Sequence, residues 1–186
     1  FLYTDMAEKS YPLMVSISGV RGIANGSITP ELVVKYVAAF TRLQIDTRGS
    51  EIEEGTRPEI VLLRDSRVSG EWIERISAGV IQSMGANVIS CGIQPTPTAQ
   101  LLALQRKSAV GALVITSSHN PKEWNGLKFI DSDGLFLSPA SCDTLFTMVN
   151  EHSYQYPSFD ASGDFIQFDD AAKIHIDACT SLSYID

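Results

Sequence analysis

The sequence predicts an α/β domain whose sheet is covered on both faces, and three observations carry that prediction. Strand-like and helix-like segments alternate along most of the chain, the pattern that builds α/β folds. Residues 110–115 are all small or branched apolar residues, which suits a strand buried on both sides. At 186 residues the chain is long enough to bury a sizeable core.

Residues 13–18 read as the first strand, ended by a turn at Gly19-Val20-Arg21-Gly22. Thr29 is placed to cap a helix that opens on Pro30, with Val33, Val34, Val37, Ala38 and Thr41 on its core side. Residues 46–58 are polar and acidic and are expected as a solvated loop. Residues 60–63 form a second strand that feeds Arg64-Asp65-Ser66-Arg67 directly, which puts two arginines at a strand end. Ser69 is expected to cap the next helix, whose Ile73, Ile76, Val80 and Met84 fall at helical spacing before Gly85 ends it.

Residues 87–91 read as the third strand, and Thr96-Pro97 opens a short helix through Leu101, Leu102 and Leu104. The fourth strand is 110–115, and 127–130 return after a polar loop. Asp131-Ser132-Asp133-Gly134 has turn chemistry, so Ile130 and residues 135–137 are expected to pair as a hairpin. Ser138-Pro139 starts a helix with Leu145, Phe146 and Val149 on its apolar side. Residues 153–168 lose periodicity and have linker composition, and a last helical pattern runs over 169–182.

Composition narrows the function classes. A formal net charge of −8 argues against a nucleic-acid or anionic-membrane surface, and no apolar run approaches the roughly 20 residues that span a bilayer. Cys91, Cys142 and Cys179 are odd in number and form no Cys-x-x-Cys pair, so a reduced, cytoplasmic setting is expected. His152 and His175 have no metal-ligand spacing with other histidines or cysteines.

The chemistry concentrates in Thr116-Ser117-Ser118-His119-Asn120-Pro121, which follows the fourth strand without a gap. Open α/β folds display their reactive groups outside the carboxyl ends of their strands. Arg21, Arg64, Arg67 and Lys128 are then the cations able to gather round an anion of phosphate size. Either Ser117 or Ser118 supplies a hydroxyl, and Ser118 is favoured because it immediately precedes His-Asn-Pro. Trp124 stands close enough in sequence to shape the site.

Four segments carry a family resemblance: Ser18-Gly19-Val20-Arg21-Gly22, Arg64-Asp65-Ser66-Arg67, the serine loop, and Asn125-Gly126-Leu127-Lys128. In this order and spacing the chain resembles the first domain of the α-D-phosphohexomutases, which include phosphoglucomutases, phosphomannomutases and phosphoglucosamine mutases. The resemblance implies a three-layer α/β/α domain with a mixed, mainly parallel sheet over 13–152. An N-terminal extension over 1–12 and a linker with the start of a second domain over 153–186 would flank it.

By the same resemblance Ser118 carries the phosphate and exchanges it with a hexose phosphate through a hexose bisphosphate. Lys128 matches the family's general base, and Arg21 matches an arginine near the phosphoserine. His119 belongs to the loop and orients phosphate or sugar hydroxyls, while Arg64, Arg67, Ser117 and Asn120 bind phosphate or substrate. Leu63 stands where the family usually has glycine, and Ser117 where glycine or alanine is frequent.

The resemblance also implies Mg2+, held by the phosphate on Ser118 and by an acidic loop in another domain. Asp131-Ser132-Asp133-Gly134 imitates that loop but lacks its third aspartate and its arginine. The remaining domains of the same enzyme are therefore expected as partners, and the isolated chain is expected to have little mutase activity. Two other readings use the same residues. A serine hydrolase built on Ser118 and His119 lacks a Gly-x-Ser-x-Gly elbow, and a non-catalytic module would bind sugar phosphates without turnover.

Overall fold

A computed structural model describes residues 11–183; residues 1–10 of the expected N-terminal extension and 184–186 lie outside the described residues. The chain begins with a hairpin, β1 (Leu13–Ser16) and β2 (Gly19–Ile23), followed by α1 (Pro30–Arg48). Then come β3 (Glu59–Arg64), α2 (Gly70–Ser83), β4 (Asn87–Ile93), α3 (Thr96–Gln105), β5 (Ala109–Ile115) and β6 (Trp124–Asp131). The chain closes with α4 (Pro139–Glu151), β7 (Phe165–Gln167) and α5 (Ala171–Thr180).

These strands form one sheet in the order β1-β2-β6-β5-β3-β4-β7. Strands β5, β3, β4 and β7 pair in parallel, whereas β6 and β1 run against their neighbours. Five strands thus share one direction, and the sheet is mixed and mainly parallel in strand direction, as expected. One face packs against α1, α2 and α4 around Phe40, Leu62, Ile81 and Leu145; the other packs against α3 and α5 around Leu63, Ile89, Leu102 and Ala171. Every residue of β5 is buried, which explains its uninterrupted apolar run.

Helix starts follow their sequence signals closely. The Thr29 hydroxyl accepts from the Leu32 amide at 3.3 Å, with Pro30 in the first turn, and Ser138 caps α4 in the same way through Ser141. Ser69 does precede α2, but it makes no capping bond, because its hydroxyl instead accepts from Asn125 Nδ2 at 2.8 Å.

Several boundaries differ from expectation. Gly19-Val20-Arg21-Gly22 is strand β2 and not a turn; the reversal lies at Ile17-Ser18. Gly19 has φ +110, and a Cβ there would lie 2.0 Å from the Leu127 carbonyl oxygen, so this glycine serves close strand approach. Residues 46–48 continue α1, with Arg42 and Asp46 paired one turn apart on its exposed side, and Gly49–Glu51 add a 3-10 turn. The hairpin expected after Ile130 is reduced to a single bridge, Ile130 to Phe136, around a turn in which Gly134 donates to Asp131 at 3.0 Å.

The stretch 153–168 has linker composition, yet it supplies β7, which joins the sheet beside β4. Backbone bonds from Gly163 to Gln82 and from Phe168 to Ser90, at 2.9 and 2.8 Å, hold it there. A three-residue strand is too short to show periodicity in a sequence.

Candidate functional site: the serine loop at the carboxyl edge of the sheet

Arg64 ends β3 opposite Ile115, the last residue of β5, so the loops that follow the two strands leave the sheet side by side. The Asp65 amide donates to the Ile115 carbonyl at 3.0 Å, which ties the loops together where they start. Trp124 and Asn125 of β6 return along the same edge.

The two serines of the loop have opposite environments. Ser117 is fully buried and its hydroxyl donates to Asn120 Oδ1 at 3.1 Å, closing a local turn with the Asn120 amide bound back to the Ser117 carbonyl. Ser118 is exposed and adopts φ +55, a left-handed conformation that costs a non-glycine residue energy. Its amide donates to Thr116 Oγ1 at 3.0 Å. The geometry thus presents one hydroxyl, that of Ser118, beside the exposed His119.

Arg67 holds this loop from the other side. Its Nη2 donates to the carbonyls of Ser118 and Asn120 at 3.0 and 2.8 Å, and its Nη1 donates to those of Pro121 and Trp124 at 2.5 and 3.0 Å. Its Nε donates to Asp65 Oδ2 at 3.0 Å. A guanidinium has five N–H donors, and here all five have acceptors. Asp65 is in turn held by the Arg67 amide and by the Thr116 hydroxyl, which donates to Oδ2 at 2.7 Å. Arg64 turns towards α2, pairing with Glu74 at 2.7 Å.

Lys128 and Arg21 lie farther along the strands. Arg21 stands opposite Gly126 across β2 and β6, and Lys128 follows two residues later on the same face. Lys128 Nζ sits 5.4 Å from the centre of the Phe136 ring. Partial burial and, after it, the positive charge of Arg21 hold the lysine below its usual pKa. Arg21 itself donates to the Ser18 hydroxyl at 3.1 Å.

A cleft of about 880 Å³ opens between the two loops, walled by Asp65, Ser66, Arg67 and Val68 on one side and by Ser118, Asn120, Lys122 and Glu123 on the other. It brings together the expected Ser118, Arg67 and Asn120. Arg64, Arg21 and Lys128 do not line it. Sequence reasoning passed over Asp65, Thr116 and the fully buried Asn125, whose amide ties β6 to the start of α2. The signal available was their place at strand ends beside the arginines and serines.

Asp131, in the turn that imitates an acidic metal loop, is engaged by Arg48 at 3.1 Å. Among the described residues no group of three or more His, Cys, Asp or Glu side chains is placed to hold a metal ion. His175 instead bonds Thr98 at 2.8 Å. No helix among the described residues is long and apolar enough to cross a membrane.

Comparison with known proteins agrees with this layout. Residues 14–155 match the family described as phosphoglucomutase/phosphomannomutase, alpha/beta/alpha domain I. A phosphoglucomutase/phosphomannomutase of Thermococcus kodakarensis is 44% identical over 119 residues, covering 64% of this chain and 25% of the relative. A phosphoglucosamine mutase of a Thermoanaerobacter species is 38% identical over 133 residues, covering 72% of this chain and 28% of the relative. The solved structure of a putative phosphomannomutase from Thermus thermophilus shares the fold, with a TM-score of 0.69 at 23% identity over 94% of this chain and 39% of that one. The chain therefore spans well under half the length of the relatives it matches. On the family match over residues 14–155, this chain belongs to the phosphoglucomutase/phosphomannomutase family as its α/β/α domain I.

Proposed function

We propose that this chain is the phosphoryl-carrying domain of an α-D-phosphohexomutase, with Ser118 as the residue that gives and takes the phosphate. The observation that carries the reading is the contrast between the exposed Ser118, set in a braced left-handed turn, and the buried, hydrogen-bonded Ser117. Phosphoryl transfer needs positioning and charge neutralisation more than an activated nucleophile, and a fixed loop supplies the positioning.

In the proposed cycle a hexose phosphate hydroxyl attacks the phosphorus carried on Ser118. The bond from phosphorus to the serine oxygen breaks and a bond to the sugar oxygen forms; the sugar hydroxyl proton passes to a base, and the departing Ser118 oxygen takes up a proton to become the free hydroxyl. Lys128 is the candidate base, since burial and Arg21 shift it towards the neutral amine. The resulting bisphosphate turns over and returns its other phosphate to Ser118, so that phosphate moves between C6 and C1. Arg21 and His119 act on the phosphate or the sugar hydroxyls.

Bound Mg2+ would supply charge neutralisation for the transferring phosphoryl group. The residues described do not make its site alone: Ser118 offers one ligand through its phosphate, while both oxygens of Asp65 are engaged by Arg67 and Thr116. The other ligands, and the contacts that choose a sugar, are proposed to come from further domains of the same enzyme, and the setting is proposed to be cytoplasmic. Relatives bear the names of both glucose/mannose and glucosamine mutases, which supports hexose phosphate as the proposed substrate class and does not choose among the sugars.

Intact-mass analysis of the full-length enzyme is expected to find phosphate on the wild type, absent from Ser118→Ala and lost on addition of glucose, mannose or glucosamine phosphate. Full mutase activity in Ser118→Ala would overturn the reading, and hexose phosphate binding without turnover would favour a non-catalytic module. The isolated 186 residues are expected to turn over little.

A further inference from the structure

We propose that Arg67 is a positioning residue which locks the serine loop, and that it does not bind substrate phosphate. This rests on the reading of Ser118 as the phosphoryl carrier. All five guanidinium donors are already used, four of them on carbonyls of residues 118, 120, 121 and 124 and the fifth on Asp65. A phosphate oxygen would have to displace one of these partners. The Arg67 side chain is only 12% exposed, which leaves little of it to meet a ligand.

The same network fixes both backbone polar groups of the reactive serine. The Ser118 carbonyl accepts from Arg67, while the Ser118 amide donates to the Thr116 hydroxyl, itself anchored on Asp65. Asp65 therefore orients Arg67 and Thr116 together, and the pair braces Ser118 at φ +55. A strained conformation persists only where its surroundings over-determine it, and four carbonyls gathered on one planar cation supply that. Lysine offers three donors without a planar fork and cannot reproduce the pattern.

The test compares full-length wild type with Arg67→Lys, Arg67→Met and Asp65→Asn. Each variant is checked for native circular dichroism, and Asp65→Asn keeps the test open if Arg67→Met does not fold. Loss of the brace is expected to lower kcat about 100-fold in Arg67→Lys, the scale of a misplaced reacting group, with KM for hexose phosphate nearly unchanged. Amides of Ser118, Asn120 and Trp124 should exchange hydrogen about tenfold faster or more, while those of β5 keep their protection. Unchanged loop exchange, or a loss confined to KM, overturns the proposal. Exchange does not depend on turnover: a wild type inactive on every hexose phosphate would defeat the mutase reading, and loop exchange alone would then decide the brace.

Discussion

Arg21 and Gly126 face each other across β2 and β6, and the glycine leaves no room for a larger residue. A Cβ at position 126 would lie 2.1 Å from the Val20 carbonyl oxygen and 3.0 Å from the Arg21 Cα. Both obstacles are backbone, which no rotamer change relieves. Gly126→Ala is therefore expected to push β2 from β6 and to destabilise the domain by about 1–3 kcal/mol, the usual cost of overpacking. Chemical denaturation measures this, and an unchanged midpoint at constant slope would contradict it.

Ser118 combines a left-handed backbone that favours glycine with an exposed hydroxyl side chain. Left-handed φ costs an L-residue roughly 1 kcal/mol or more relative to glycine. Ser118→Gly is thus expected to be more stable than Ser118→Ala by about that amount, although both lack the hydroxyl. Equal stability of the two variants would show that the turn at 118 stores no strain.

The placement of the candidate site was largely legible in sequence because its residues lie in short motifs at strand ends. The hydroxyl run after the buried strand 110–115 and the arginines after 60–63 occupy adjacent strand ends, as parallel pairing requires. What single residues do there was less legible. An arginine at a strand end reads as a free cation, and only the fold shows that Arg67 is saturated by loop carbonyls brought from 51 to 57 positions away. Similarly, Gly19 and Gly22 look like turn residues locally, whereas the tertiary need is for close approach to the Leu127 backbone of β6 and to the Ser27 side chain. Strand β7 owes its existence to the open edge of β4, which its own three residues cannot announce.

The cysteines differ in reactivity by environment. Burial pushes the Cys91 thiol up to about 12, and Cys142 is also raised by burial and then by Asp143, whereas Cys179 is exposed. The thiolate is the reactive form. Native protein at neutral pH is expected to lose one thiol, Cys179, quickly to an alkylating reagent, with the other two reacting after denaturation. Peptide mapping checks the order, and rapid native modification of Cys91 would contradict its burial in β4 on the face covered by α3 and α5.

Lys128 offers a titration that links the site to the fold. Its pKa is expected below the ordinary 10.5, first because partial burial disfavours the cation and then because Arg21 repels it. Arg21→Met should therefore raise the Lys128 pKa only part of the way back, since burial remains. A lysine with a lower pKa when folded binds fewer protons in the native state, so its contribution to stability grows as pH climbs from the folded value towards 10.5. Lys128→Met should remove that rise from the stability profile. Carbon or nitrogen NMR of the lysine side chain reads the pKa directly. A value at or above 10.5, or no change in Arg21→Met, would remove the electrostatic case for Lys128 as the base.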